Sequence, residues 1–116
     1  MALFEFDEKQ KGYIAEIDSM RFYCEELKPE YEILAKELAD SYEEKLPEII
    51  EFMLPEIQEI FGDVSEEELM EAIGIPQIDL DREIISYLEQ TLDDIHIIDV
   101  EFSGIFDEFF EVKIDG

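Results

Sequence analysis

The sequence predicts an α+β fold: an antiparallel sheet with N-terminal and C-terminal strands and helices packed on one face, in a single domain spanning residues 1–116. Three observations predict it. The closing stretch, Thr91 to Gly116, alternates with period two on both sides of Ser103-Gly104, as a β-hairpin does. The middle, Tyr31 to Ile73, repeats apolar residues at three- and four-residue steps, as amphipathic helices do. The opening, Leu3 to Cys24, is a series of short apolar runs broken by polar turns. Strands at both ends with helices between them sort into a sheet carrying helices on a face.

In chain order, Leu3, Phe4 and Phe6 open a short strand, Lys9 to Gly12 turn, and Tyr13 to Ile17 return as its partner. Asp18-Ser19 reads as a second turn. Met20 to Cys24 follows as a third strand, a helix starting at Ser19 being the alternative. Pro29 suits the first position of a helix bearing Tyr31, Ile33, Leu34, Leu38, Ala39, Tyr42 and Leu46. Pro47 lacks an N–H, so that helix is expected to end or kink near Lys45. A second helix then carries Ile49, Ile50, Met53, Leu54, Ile57, Ile60 and Phe61, kinked or split at Pro55 and ended by Gly62. Ser65 to Glu68 is a capping box opening a short helix through Ile73. Gln77 to Leu80 is a strand. Glu83 to Gln90 fits either a helix or a strand, and Ile84-Ile85, Tyr87 and Thr91 favour the strand.

The terminal hairpin admits a finer reading. A two-residue turn would mix Val100 with Asp107 on one face. A three-residue loop, Phe102-Ser103-Gly104, keeps the faces apart and puts Gly104 in a left-handed conformation that a missing Cβ permits. The even positions Val100, Phe102, Phe106, Phe110, Val112 and Ile114 then face a core with Ile33, Leu34, Leu38, Ile50 and Ile57 over them. On the odd face Asp99 would stand opposite Asp107 and Ile97 opposite Phe109. Like charges in that position call for a cation or a basic partner, or for screening by water.

Charge is the strongest compositional feature. Thirty-four Asp and Glu against 8 Lys and Arg give a net charge of −26, and only Arg82 and Lys113 follow Lys45 among the bases. Such a surface repels nucleic acid and anionic membranes, so neither is an expected partner. With 47% hydrophobic residues the chain is expected to fold rather than stay disordered. One cysteine, Cys24, gives no disulfide framework and points to a reducing cytoplasm. The opening MALFEFDEKQ reads as neither signal nor transit peptide, and no apolar run approaches the ~18 residues of a membrane span.

No motif names a reaction. His96, the sole histidine, sits beside Asp93 and Asp94, and reads as a sheet-end residue with a hydrogen-bonded ring before it reads as a metal ligand. Cys24 lacks an electropositive setting and reads as a small core residue. Among 34 acids, paired carboxylates arise by chance, so none marks glycosidase-like chemistry. No calcium loop or glycine-rich phosphate loop occurs, and no cofactor or metal is expected. What rises above background is the odd hairpin face. There Ile97 and Phe109 would make an apolar centre ringed by Asp99, Glu101, Asp107 and Glu111, as in a steered protein interface. The competing structural reading has a helix covering Ile97 and Phe109, with the acids as its solvated fringe.

The segment Ile75 to Gly116, about a third of the chain, resembles a family of small acidic bacterial proteins, some associated with immunity proteins of polymorphic-toxin systems. The residues concerned are Pro76 with Ile78, Ser86-Tyr87-Leu88, Leu92-Asp93-Asp94 before His96, Val100-Glu101-Phe102 with Gly104, and Ile114-Asp115-Gly116. The resemblance carries no catalytic motif. It implies a cytosolic protein that blocks a toxin, often a nuclease with a basic active-site surface. The expected function is therefore a non-enzymatic acidic protein that neutralises a basic protein partner, with toxin immunity as the favoured form. A nucleic-acid mimic acting on a defence or restriction enzyme is the alternative, since carboxylates two apart on a strand lie roughly 7 Å apart, comparable with successive phosphates. A small enzyme or metal-binding protein and a structural subunit without an electrostatic role are further alternatives.

Overall fold

A computed structural model describes residues 3–115. Seven strands form one sheet in chain order: β1 (Glu5–Asp7), β2 (Gly12–Ile17), β3 (Met20–Cys24), β4 (Gln77–Asp79), β5 (Ile84–Tyr87), β6 (Ile97–Ser103) and β7 (Glu108–Asp115). Helices α1 (Tyr31–Phe61) and α2 (Glu66–Ala72) lie between β3 and β4 in sequence. The fold is α+β, as the periodicities predict, and both ambiguous segments are strands. Neighbouring strands are antiparallel except β3 and β4, where Arg21, Phe22 and Tyr23 run parallel to Gln77, Ile78 and Asp79. This pair departs from the expected all-antiparallel sheet. A parallel pair needs a long crossover, and the helical middle of the chain supplies it.

The register places Ala15, Phe22, Ile78, Ile85, Val100 and Val112 in one row across six strands. Flanking positions on that face, Met20, Cys24, Tyr87, Ile98 and Phe102, are buried. α1 lies against this face: Tyr42 Oη and Tyr87 Oη share a hydrogen bond of 2.7 Å, and the Phe52 ring packs 5.6 Å from that of Phe109. Burial pushes the Tyr42 hydroxyl up to about 12 and that of Tyr87 well above its ordinary value, so both stay protonated and pair with each other. Cys24 is a buried core residue, as expected, and burial followed by the charges of Asp81 and Asp79 raises its thiol to about 11. Among the described residues, no strand side chain on the opposite face is fully buried.

α1 is one uninterrupted helix, which corrects the expected break at Pro47 and the split at Pro55. Both prolines are exposed, so the carbonyls they leave without an N–H partner can turn to water. The buried stripe Ala35, Leu38, Ile49, Ile50, Met53 and Ile57 continues past both, and its burial outweighs two missing backbone bonds. At 1.5 Å per residue the helix is about 46 Å long, matching the molecule's 45 Å long axis. It begins at Tyr31, two residues after Pro29. Ile33, expected in the core, is 65% exposed, because the stripe runs through Tyr31, Ala35 and Leu38 instead. Gly62 caps the C-terminus with φ 85°, and the capping box of α2 forms both of its bonds, Glu68 N–H to Ser65 Oγ and Ser65 N–H to Glu68 Oε1.

The hairpin turns are tight. Asp18 and Ser19 both take left-handed conformations, as a two-residue loop between right-twisted strands requires. Residues 8–11 and 80–83 are four-residue loops whose last members, Lys11 and Glu83, are left-handed. Each is entered by an aspartate, Asp7 or Asp79, whose Oδ1 accepts two loop N–H groups at 2.8–3.2 Å.

The terminal hairpin differs from its expected register. Its loop is 104–107, so Phe102 stands opposite Phe109, Val100 opposite Val112 and Asp99 opposite Lys113. Gly104 is left-handed, as predicted, but the tip folds inward, with the Asp107 N–H donating to the Ser103 carbonyl at 3.0 Å. This buries Phe106 as a plug against Phe102 and Tyr42, at centroid distances of 5.0 and 5.9 Å. A bulge at Phe110 then shifts the parity of β7. Phe109 joins the core face and Phe110, expected to be buried, is 58% exposed, while Val112 and Ile114 are half-buried.

Candidate functional site

Two acidic surfaces follow from this geometry. The first is the uncovered sheet face. One row across it reads Glu5, Ile14, Tyr23, Asp79, Ile84, Glu101 and Glu111, and the next reads Glu16, Arg21, Gln77, Ser86, Asp99 and Lys113. Ile14, Tyr23 and Ile84 flank Asp79 in the first row, and carboxylates end it at both edges. Arg21 is drawn off by Glu89 at 2.9 Å, and Asp79 is engaged by Arg82 at 3.2 Å. Asp99 accepts a 2.6 Å bond from Ser86 Oγ and has Lys113 as its cross-strand neighbour, so the expected clash between Asp99 and Asp107 does not arise. The like-charge pair falls instead on Glu101 and Glu111, directly opposite each other.

The second surface is a shallow groove at the free β7 edge, of about 570 Å³, between α1 and the hairpin. Phe52, Pro55 and Phe109 line it together with Glu48, Glu51, Asp107 and Glu108. The half-buried Phe52 and Phe109 rings meet at an interplanar angle of 35°. Lys45 approaches Glu48 at 3.8 Å, and Asp107 Oδ2 accepts the Ile105 N–H at 3.1 Å.

The sequence-predicted set therefore divides. Ile97, Asp99, Glu101 and Glu111 share the open sheet face, whereas Asp107 and Phe109 belong to the groove. The apolar centre of Ile97 and Phe109 does not form: Ile97 pairs with Asp115 and is 41% exposed, and α1 covers Phe109 from the other side. Sequence reasoning missed Glu48, Glu51, Phe52 and Glu108. The spacing of Glu48, Glu51, Phe52 and Pro55 along one helix aspect was visible, but the bulge that turns Phe109 toward them was not.

Elsewhere, polar groups serve the fold. The Gln90 side chain, 6% exposed, donates to the Asp93 and His96 carbonyls and accepts the Leu92 N–H, knotting the segment before β6. His96 bonds through Nδ1 to Asp93 and lies edge-on to Phe61, so its ring is hydrogen-bonded as expected. Desolvation opposes the charge on Asp93, but bonds from the His96 backbone and ring, Gln90 and the Ile95 N–H together hold its carboxyl well below the usual carboxylate range. Asp81 accepts the Glu25 N–H at 2.6 Å and the Tyr31 hydroxyl at 2.8 Å, tying the end of β3 to the start of α1. Beside it, a cavity of about 300 Å³ is walled by Leu34, Leu38, Leu80, Phe102 and Ile105. Among the described residues, no three His, Cys, Asp or Glu side chains are grouped to hold a metal. Among the described residues, no helix is long and apolar enough to cross a membrane. Comparison with family models, curated proteins and solved structures returns no match.

Proposed function

We propose that this chain is a non-enzymatic binding protein that neutralises a basic protein partner, with toxin immunity as the favoured form and the cytoplasm as its compartment. The observation that carries this reading is negative charge kept where it costs the fold. Glu101 and Glu111 oppose each other across β6 and β7. Glu59 lies in the last turn of α1, and neither helix has a base in its last turn, where the dipole favours one. Only four of the eight bases, Arg21, Lys36, Lys45 and Arg82, form ion pairs with carboxylates among the described residues, so most acids have no cationic neighbour. A partner that supplies positive charge relieves this repulsion on binding, and steered association follows.

The test begins with a partner recovered from the host at low salt and released by NaCl. Asp99→Asn with Glu101→Gln is expected to slow its association severalfold and flatten the salt dependence, with little change in dissociation. Unchanged association would remove the sheet face from the function, and failure to recover any basic protein would remove the reading. The nucleic-acid mimic remains the second reading, supported by the consecutive outward carboxylates of Asp99 and Glu101 on β6. It requires that duplex DNA compete for the same partner surface.

A further inference from the structure

We propose that the groove between α1 and the terminal hairpin is a recognition pocket for an arginine side chain of the basic partner. The inference rests on the functional reading above and assigns its contact point. A guanidinium is planar, lies over aromatic faces and forks onto carboxylates, and the groove offers both. Phe52 and Phe109 supply half-buried rings 5.6 Å apart, so part of each ring stays open to the groove. Glu48 and Glu51 line it from the helix, and Asp107 and Glu108 from the end of the hairpin.

The volume, about 570 Å³, falls within the range of small-molecule sites, but the groove is shallow and would leave much of a free ligand in water. A side chain delivered by a protein surface does not need full enclosure. Among the described residues β7 is the sheet's outer strand, so the groove opens at a sheet edge. Lysine carries the same charge but has no plane to stack, and this separates recognition by the groove from general attraction to a chain of charge −26.

The experiment titrates the intact protein, at about 0.01 M salt where screening is weak, with two hexapeptides alternating glycine with arginine or with lysine. The arginine peptide is expected to bind about two- to fivefold more tightly, the range of one exposed cation–aromatic contact. Phe52→Leu with Phe109→Leu, which keeps apolar volume and removes the rings, is expected to abolish that preference, weakening the arginine peptide more than the lysine peptide. Glu51→Gln with Glu108→Gln should weaken both peptides. In the unmutated protein, NMR should show contacts from the arginine δ-methylene to the Phe52 and Phe109 rings, a readout that stands even if the double leucine variant fails to fold. Equal, salt-sensitive binding of both peptides, or contacts to Ile14, Tyr23 and Ile84 instead, overturns the arginine pocket and leaves the acidic-binder reading intact. No binding of either peptide at low salt overturns both.

Discussion

At the scale of single residues, Asp93 shows how one side chain organises a loop. Its Oδ1 accepts the Ile95 and His96 N–H groups while its other oxygen meets the His96 ring. These bonds favour the charged form in the fold, so its carboxyl titrates lower folded than unfolded. A depressed folded value contributes stability that is fully present above the unfolded value, near pH 3.9, and is lost as pH falls through the folded one. Asp93→Asn is therefore expected to be less stable than the parent at neutral pH, with the difference shrinking as the pH drops below about 4. Chemical denaturation of both proteins across pH 2–7 checks this, and the difference cancels the general relief of repulsion as other carboxylates protonate. A constant difference would mean that shape rather than charge matters at this position. The bonded ring of His96 was legible beforehand, because a histidine two residues after Asp94 and three after Asp93 has carboxylates within reach. Gln90 was not, since a glutamine before a polar turn has no pattern that separates a buried organiser from a surface residue.

At the scale of elements, alternation and turn chemistry located all seven strands, and the capping box located α2. Two errors share one cause. Local backbone chemistry alone predicts the break at Pro47 and parity alone the hairpin loop, whereas burial decides both. The tip accepts a left-handed Phe106, with φ 56°, because the ring then fills the core between Tyr42 and Phe102. Phe106→Ala is accordingly expected to cost about 3–5 kcal/mol. Phe110→Ala, four residues later on the exposed side of the bulge, should change stability by no more than about 0.5 kcal/mol. Urea unfolding of the two variants measures both. Equal costs would return Phe110 to the core and restore the register expected from parity. The candidate interface was legible only in part for the same reason: its acids are plain in the composition, but the bulge decides which of them share a surface.

At the scale of the whole molecule, −26 on one sheet and two helices makes self-repulsion a term in stability. Raising NaCl from 0.01 to 0.1 M shortens the Debye length from about 30 to about 10 Å, so Tm is expected to rise over that range. Differential scanning calorimetry tests this, and a flat or falling Tm would mean that the carboxylates are already compensated within the fold. The lone parallel pair has a different kind of consequence. It divides the sheet into two meanders, β1 to β3 and β4 to β7, closed by loops of two to nine residues, whereas the β3–β4 junction spans residues 25–76. Closing a long loop costs more entropy than closing a short one, and non-local pairing slows folding. The junction is thus expected to be the last seam to close. Pulse-labelled hydrogen exchange during refolding is expected to find the Arg21 and Leu80 amides, bonded to the Pro76 and Tyr23 carbonyls, protected later than amides within β2–β3 and β6–β7. Simultaneous protection would instead make α1 the template on which both meanders assemble together.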